Sequence, residues 1–204
     1  IITALSVFYD LRNPNKFLKE VKKILDKDGV FVLEHADLYS IIKNNIFDTI
    51  CHEHLGYFSS KVIVDMMKNN GLKVFNHRFN NINGGSSRYY ISHKNSKYKI
   101  LNSVKNVLIK EKKLGLVHKK TFDIFFKKIA NENKKLKNLI NKIKKNNLSI
   151  QGYGASTKGN ILLQFCKIGS KHIDYIAERN PLKYGMFTPG TKIKIISEKF
   201  SRSL

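Results

Sequence analysis

Twice along the chain a short apolar run leads into an amphipathic helical stretch and then into another apolar run, an alternation that points to a parallel α/β sheet. Residues 1–9, IITALSVFY, read as the end of a buried strand entering a loop. Asn13 offers a helix N-cap and Pro14 suits the first helical position. Phe17, Leu18, Val21, Ile24 and Leu25 then fall on one helical face, and Gly29 is expected to end the helix. Residues 30–33 form the next strand. A second helix is expected over residues 38–43, and a third starts at Ser59 or Ser60, buries Val62, Ile63, Met66 and Met67, and stops at Gly71. Residues 72–79 and 88–93 read as an antiparallel hairpin closing the sheet, joined by the turn-forming residues 80–87.

Residues 96–146 are Lys-rich with apolar residues at helical spacing, which predicts two helices broken near Gly115. The alternation then restarts with a strand at 148–151, a glycine-containing turn, a helix at 157–168 and a strand at 173–177. Residues 180–191 read as a loop. The organisation expected is therefore α/β: a sheet-containing part at 1–95, a helical connector at 96–147, and a small second α/β unit at 148–204. The abrupt opening strand and the small second unit suggest a chain incomplete at both ends.

Lys and Arg number 38 against 15 Asp and Glu, so the net charge is +23. Only five of the 38 are arginine, and the lysines are spread over every expected helix. Base readout and bidentate phosphate contacts favour arginine, so this charge reads as a solvated face with a general preference for small anions, not as a nucleic-acid footprint. Neither apolar-run length nor the residues at the start indicate a membrane span or a targeting signal. Cys51 and Cys166 lack CxxC spacing, so reduced thiols in a cytoplasmic protein are expected, with no thiolate metal site.

Three segments carry polar groups in patterns that chemistry uses. The densest is DTICHEHLGY, residues 48–57, which gathers His52, Glu53, His54 and Tyr57 between two helices. An imidazole beside a carboxylate is the usual pairing for a general base; a His-x-His pair completed by His35 or Asp37 would bind a metal; a solvated loop needs neither. The second is NNINGGSSR, residues 80–88, whose glycines permit positive φ and close backbone approach, with Asn83 and Arg88 as candidate ligand contacts. From this segment alone a plain hairpin turn is the better account. The third is GYGASTKGN, residues 152–160, where a strand enters a helix and offers amides, the helix dipole and Lys158 to an anion. It is not a Walker loop, and Thr157 stands where a dinucleotide fingerprint has its third glycine.

Taken in order, FYDLRNP, DTICHEHLGYFS, NGGSSRYY, GYGASTKGN and NPLKYGMFTPGT resemble the sugar-nucleotide C-methyltransferases, and the likeness covers nearly the whole chain. The resemblance implies a class I S-adenosylmethionine-dependent enzyme that methylates a carbon next to the ketone of a nucleoside-diphosphate-linked keto-deoxysugar. It implies three domains: an N-terminal zinc-binding domain, a central Rossmann-like methyltransferase domain and a C-terminal domain with a second Rossmann-like unit. On that reading the chain starts at the fourth strand of the central domain. The cofactor's glycine-rich loop and the zinc ligands would then lie upstream of Ile1, and the isolated polypeptide is expected to be inactive. His54 takes the role of base and Glu53 orients it. Cys51 occupies a position where relatives can carry tyrosine, leaving Tyr57, His52 or Tyr9 to replace that phenol. Asn83, Arg88, Lys158 and Lys183 are implied contacts for the sugar nucleotide. A noncatalytic sugar-nucleotide-binding module and a metal hydrolase using His52 and His54 are the alternatives.

Overall fold

A computed structural model describes all residues, Ile1–Leu204. The chain divides into two compact units, Ile1–Phe47 with His52–Phe126, and Asp48–Cys51 with Lys127–Leu204. The first holds a four-stranded sheet in the order β1-β2-β4-β3, built from β1 (Ile2–Leu5), β2 (Phe31–Ala36), β3 (Leu72–Asn80) and β4 (Ser86–His93). β1 and β2 are parallel, whereas β4 runs antiparallel to both β2 and β3. The hairpin is present, but it does not simply close the sheet: its second strand is inserted between β2 and the first.

The first connection is α1 (Pro14–Ile24), whose N-cap Asn13 accepts from the Lys16 amide at 3.0 Å. The helix stops at Leu25, earlier than Gly29, because the Asp26 carboxylate and carbonyl take the Asp28 and Gly29 amides and turn the chain. Leu18, Val21 and Leu25 are buried as the spacing requires, while Ile24 stays 73% exposed. Asp37 caps α2 (Leu38–Asn44) and Ser59 caps α3 (Ser60–Asn69). α1 and α3, with α4 (Asn102–Leu114), cover the sheet over a core that includes Phe8, Phe31, Leu33, Ile63, Met67 and Tyr89. Gly115 ends α4 in the left-handed conformation (φ 75°), and α5 (Lys119–Lys145) follows.

The second unit holds three parallel strands in the order β5-β6-β7: β5 (Gln151–Tyr153), β6 (Tyr175–Glu178) and β7 (Lys194–Ser197). α6 (Thr157–Phe165) connects β5 to β6, and a short α7 (Glu198–Ser201) follows β7. The core comprises Ile140 of α5 with Leu163, Cys166, Ile168, Ile176, Ile193 and Ile195. Residues 148–150 precede β5 because the Ile150 amide bonds the Asp174 carboxylate, which also pairs with Lys144, and not a neighbouring strand. Both units are thus α/β, one with a mixed sheet and one with a parallel sheet, in keeping with a Rossmann-like methyltransferase fold. No helix is long and apolar enough to cross a membrane.

Candidate active site

Sequence order puts Tyr9 and His54 45 residues apart, and one backbone junction joins them. At the carboxyl end of β1, Ser6 adopts a left-handed φ of 56° and its amide donates to the Glu34 carbonyl at 2.8 Å. The chain then enters a tight turn that buries Phe8 and Tyr9. The Tyr9 carbonyl accepts the Leu55 amide at 2.8 Å and the Gly56 amide at 3.1 Å, pinning the histidine segment beneath the strand end. At its other end the segment is held by the Leu38 amide, which donates to the Phe58 carbonyl. His54 is half-buried, its ring 4.2 Å from the Tyr9 ring and 6.1 Å from the Tyr57 ring. His52 and Glu53 sit exposed on the preceding turn, and Cys51 is half-buried and forms no disulfide. Of the four residues singled out in this segment, two, His54 and Tyr57, are brought together, with Tyr9 as the third ring. Nowhere do three or more His, Cys, Asp or Glu side chains gather as a metal would need.

Behind this surface lies a buried polar layer that hydropathy reading did not find. β2 continues past the expected end at Leu33 through Glu34, His35 and Ala36, and both polar side chains are buried. His35 stacks between Phe8 and Tyr89, with centroids at 6.5 and 5.6 Å, and meets Phe58 edge-on. Its Nδ1 donates to the Ala36 carbonyl, which leaves Nε2 an acceptor with no partner. Burial pulls the His35 pKa down, against the opposing pull of that hydrogen bond and of Asp37 and Glu34. His77 shares a 2.9 Å hydrogen bond with Ser87, and burial and Lys110 take its pKa to about 4. Desolvation raises Asp37, although the Ser40 amide and hydroxyl bond it at 2.9 Å. Ser60 joins Tyr89 at 3.0 Å, and the Glu111 carboxylate, raised by burial, accepts the Ser60 and Lys61 amides at the head of α3. The signal available in the sequence was the cluster of polar residues Glu34, His35 and Asp37 directly after FVL.

The glycine-containing turn at residues 80–88 is shaped by Glu34. Its Oε2 accepts both the Arg88 Nε and the Asn80 Nδ2, so Arg88 is already paired across the β2–β4 register. Asn83 lies exposed with a left-handed φ of 56°. Gly85 has φ 142°, and a Cβ there would sit 2.7 Å from the Ser40 Cβ, so this glycine serves a close approach to α2.

In the second unit the residues 152–160 form a strand-to-helix turn at the carboxyl end of the parallel sheet. Gly154 is left-handed (φ 89°), with no atom within 4 Å of where a Cβ would stand, so the turn is open. Ser156 caps α6. Glu178, at the end of β6, accepts the Asn180, Arg179 and Ala155 amides, which bring its pKa to about 2. Lys183 donates to the Ala155 carbonyl at 2.8 Å and lies 3.4 Å from Glu178, bracing the turn from inside. Lys158 stands on the first turn of α6.

Residues 81–203 match the family model described as C-methyltransferase C-terminal domain. The chain belongs to the C-methyltransferase family. It is also 29% identical over 190 residues to the C-methyltransferase NovU of Streptomyces niveus, an alignment that takes in 93% of this chain and 45% of NovU. The C-methyltransferase chain thus spans less than half the length of that relative. Membership implies S-adenosylmethionine as the methyl source, but the residues present do not complete a cradle for it. Of the acidic groups at the strand ends of the first unit, Asp37 is buried in its helix cap and Glu34 is held by Arg88 and Asn80, so neither is placed to hold a ribose.

Proposed function

We propose that this chain supplies the proton-removing part of a C-methyltransferase acting on the carbon next to the ketone of a nucleoside-diphosphate-linked keto-deoxysugar. The observation that carries the reading is the placement of His54: half-buried, ring against ring with Tyr9, at the carboxyl end of a parallel strand pair. A proton on such a carbon is too weakly acidic to leave unaided. An imidazole nitrogen of His54 takes it, the C–H electron pair becomes the enolate π bond, and the carbonyl π pair moves onto oxygen. Donors held near that oxygen lower the barrier, and Tyr57 and His52 are the candidates within this segment. Glu53, one residue before the base, orients the imidazole as substrate closes the turn, in line with catalytic hydrogen bonds that tighten only in the complex.

Taken by itself, the open turn of the second unit suits an anion such as a diphosphate, with the N-terminus of α6 and Lys158 in the first turn of that helix as its donors. Lys183 contributes there by holding the turn, and in the first unit, taken by itself, Asn83 and the exposed part of Arg88 are the candidate contacts for a keto-sugar. The test is exchange of the α-proton of the keto-sugar nucleotide in D2O, followed by NMR with the full protein. Loss of a general base costs roughly 100- to 10,000-fold, so His54→Ala should reduce exchange by at least that lower figure. Exchange at the wild-type rate in this variant removes His54 from the role.

A further inference from the structure

Along the first unit, α3, the start of β3, residues 94–100 and α4 enclose a groove of about 780 Å³. Its floor is aliphatic: Leu72, Val74 and Val104 are almost fully buried, with Val64, Leu108 and the half-exposed Ile100 above them. The wall is rigid. Tyr98 stacks on Phe75 at 4.5 Å, its hydroxyl donates to the Asp28 carbonyl, and the Leu101 amide donates to the Phe75 carbonyl at 2.8 Å. Six lysines ring the groove, Lys68, Lys73, Lys94, Lys97, Lys99 and Lys105, and no acidic side chain lines it. Of the six only Lys97 forms an ion pair, with Asp28 at 3.5 Å.

An aliphatic floor inside a lysine ring selects its occupant. Nucleic acid would use the lysines but gain nothing from aliphatic side chains, since single strands bind through aromatic stacking. A bilayer carries the anionic charge but is flat and cannot reach a recessed floor. A second copy brings a net +23 against the same sign. We propose that the groove docks an acidic amphipathic helix of a partner protein, apolar residues at i, i+3, i+4 and i+7 entering the floor and Asp or Glu on its flanks meeting the lysines.

The probe is a fluorescein-labelled helical peptide with leucines at that spacing and glutamates on both flanks, alongside a counterpart carrying lysine for glutamate, each titrated into the full chain by fluorescence anisotropy. The glutamate peptide should bind at least about 10-fold more tightly than the lysine peptide, and lose about 10-fold between roughly 0.05 M and 0.3 M salt, as screening of exposed charge requires. Ile100→Asp should weaken it about 10-fold by spoiling the floor, and Lys68→Glu with Lys105→Glu by a similar factor, on the scale of one to two strong interface contacts. The paired Lys127→Glu and Lys128→Glu change on α5, equal in charge but outside the groove, should leave binding unchanged. If Ile100→Asp fails to fold, the lysine pair decides the matter. Absence of binding, equal binding of both peptides, equal loss in the α5 control, or binding of phosphatidylglycerol vesicles without the peptide would each overturn the proposal.

Discussion

Replacing Glu178 with glutamine isolates one carboxylate's contribution to the shape of the second unit. Glu178 accepts three backbone amides and sits near Lys183, and its side chain is only 15% exposed. Those contacts take its pKa from 4.5 to about 2. At about 1.4 kcal/mol per unit the shift would amount to roughly 3 kcal/mol. Solvent near the turn screens part of it and glutamine keeps one acceptor oxygen, so the expected loss is about 1–2 kcal/mol. For a unit of this size that is a fall of roughly 4–15 °C in Tm. The sign follows from linkage: a depressed carboxylate stabilises the fold above its unfolded pKa, and that contribution is lost as pH falls from about 4.5 to about 2. The assay is urea unfolding of wild type and Glu178→Gln from pH 7 to pH 2, with amide exchange at Ala155, Arg179 and Asn180. Wild type should lead at pH 7, the two should converge across that window, and the three amides should exchange faster in the variant. A deficit that stays constant with pH, or none at pH 7, refutes the account.

Three other substitutions test the first unit. His35→Phe keeps the ring stack while removing an unpartnered buried nitrogen; because burial depresses the His35 pKa, the wild type should lose stability as pH falls below about 6.5, and the variant should lose less. Glu111→Ala leaves the Ser60 and Lys61 amides without their acceptor and should cost about 1–3 kcal/mol in chemical denaturation. Gly85→Ala drives a Cβ to 2.7 Å from Ser40 at φ 142° and should cost more than about 1 kcal/mol, with the largest rise in amide exchange in α2.

Local rules in the sequence carried the helices: Asn13 and Pro14 start α1, Ser59 caps α3 and Gly115 ends α4 where expected. They failed where the deciding partner is remote. Glu34 and His35 read as the end of a strand because charge and imidazole are costly to bury. They are tolerated inside β2 because Arg88, 54 residues on, pairs with Glu34, and Tyr89 stacks on His35. The same remoteness hid the insertion of β4: a hairpin pattern shows that two strands pair, not which of them faces β2. β7 was missed because Lys-Ile-Ile-Ser is short and follows a loop rich in proline and glycine, and its parallel partner β6 supplies the ladder. At the site, the grouping of His54 with Tyr57 was readable from proximity in sequence. The Tyr9 contact was open only as one option among several, because it rests on two backbone hydrogen bonds that no side-chain pattern announces.

The use of carboxylates bears on the proposal that His54 is the base. Asp37 and Glu178 each end a parallel strand, where an acidic side chain often meets a ligand, yet each is spent on the protein's own amides. Glu34 and Glu111 are likewise bound to Arg88 and Asn80 and to the head of α3. Groups committed in this way shape loops and cannot also shuttle protons without breaking what they hold. The exposed or half-exposed acids and bases of residues 52–54 carry no such duty, because the segment is fixed through the Leu55 and Gly56 backbone amides. Its position therefore rests on backbone and not on its own side chains, which is the condition that the base role proposed for His54 requires.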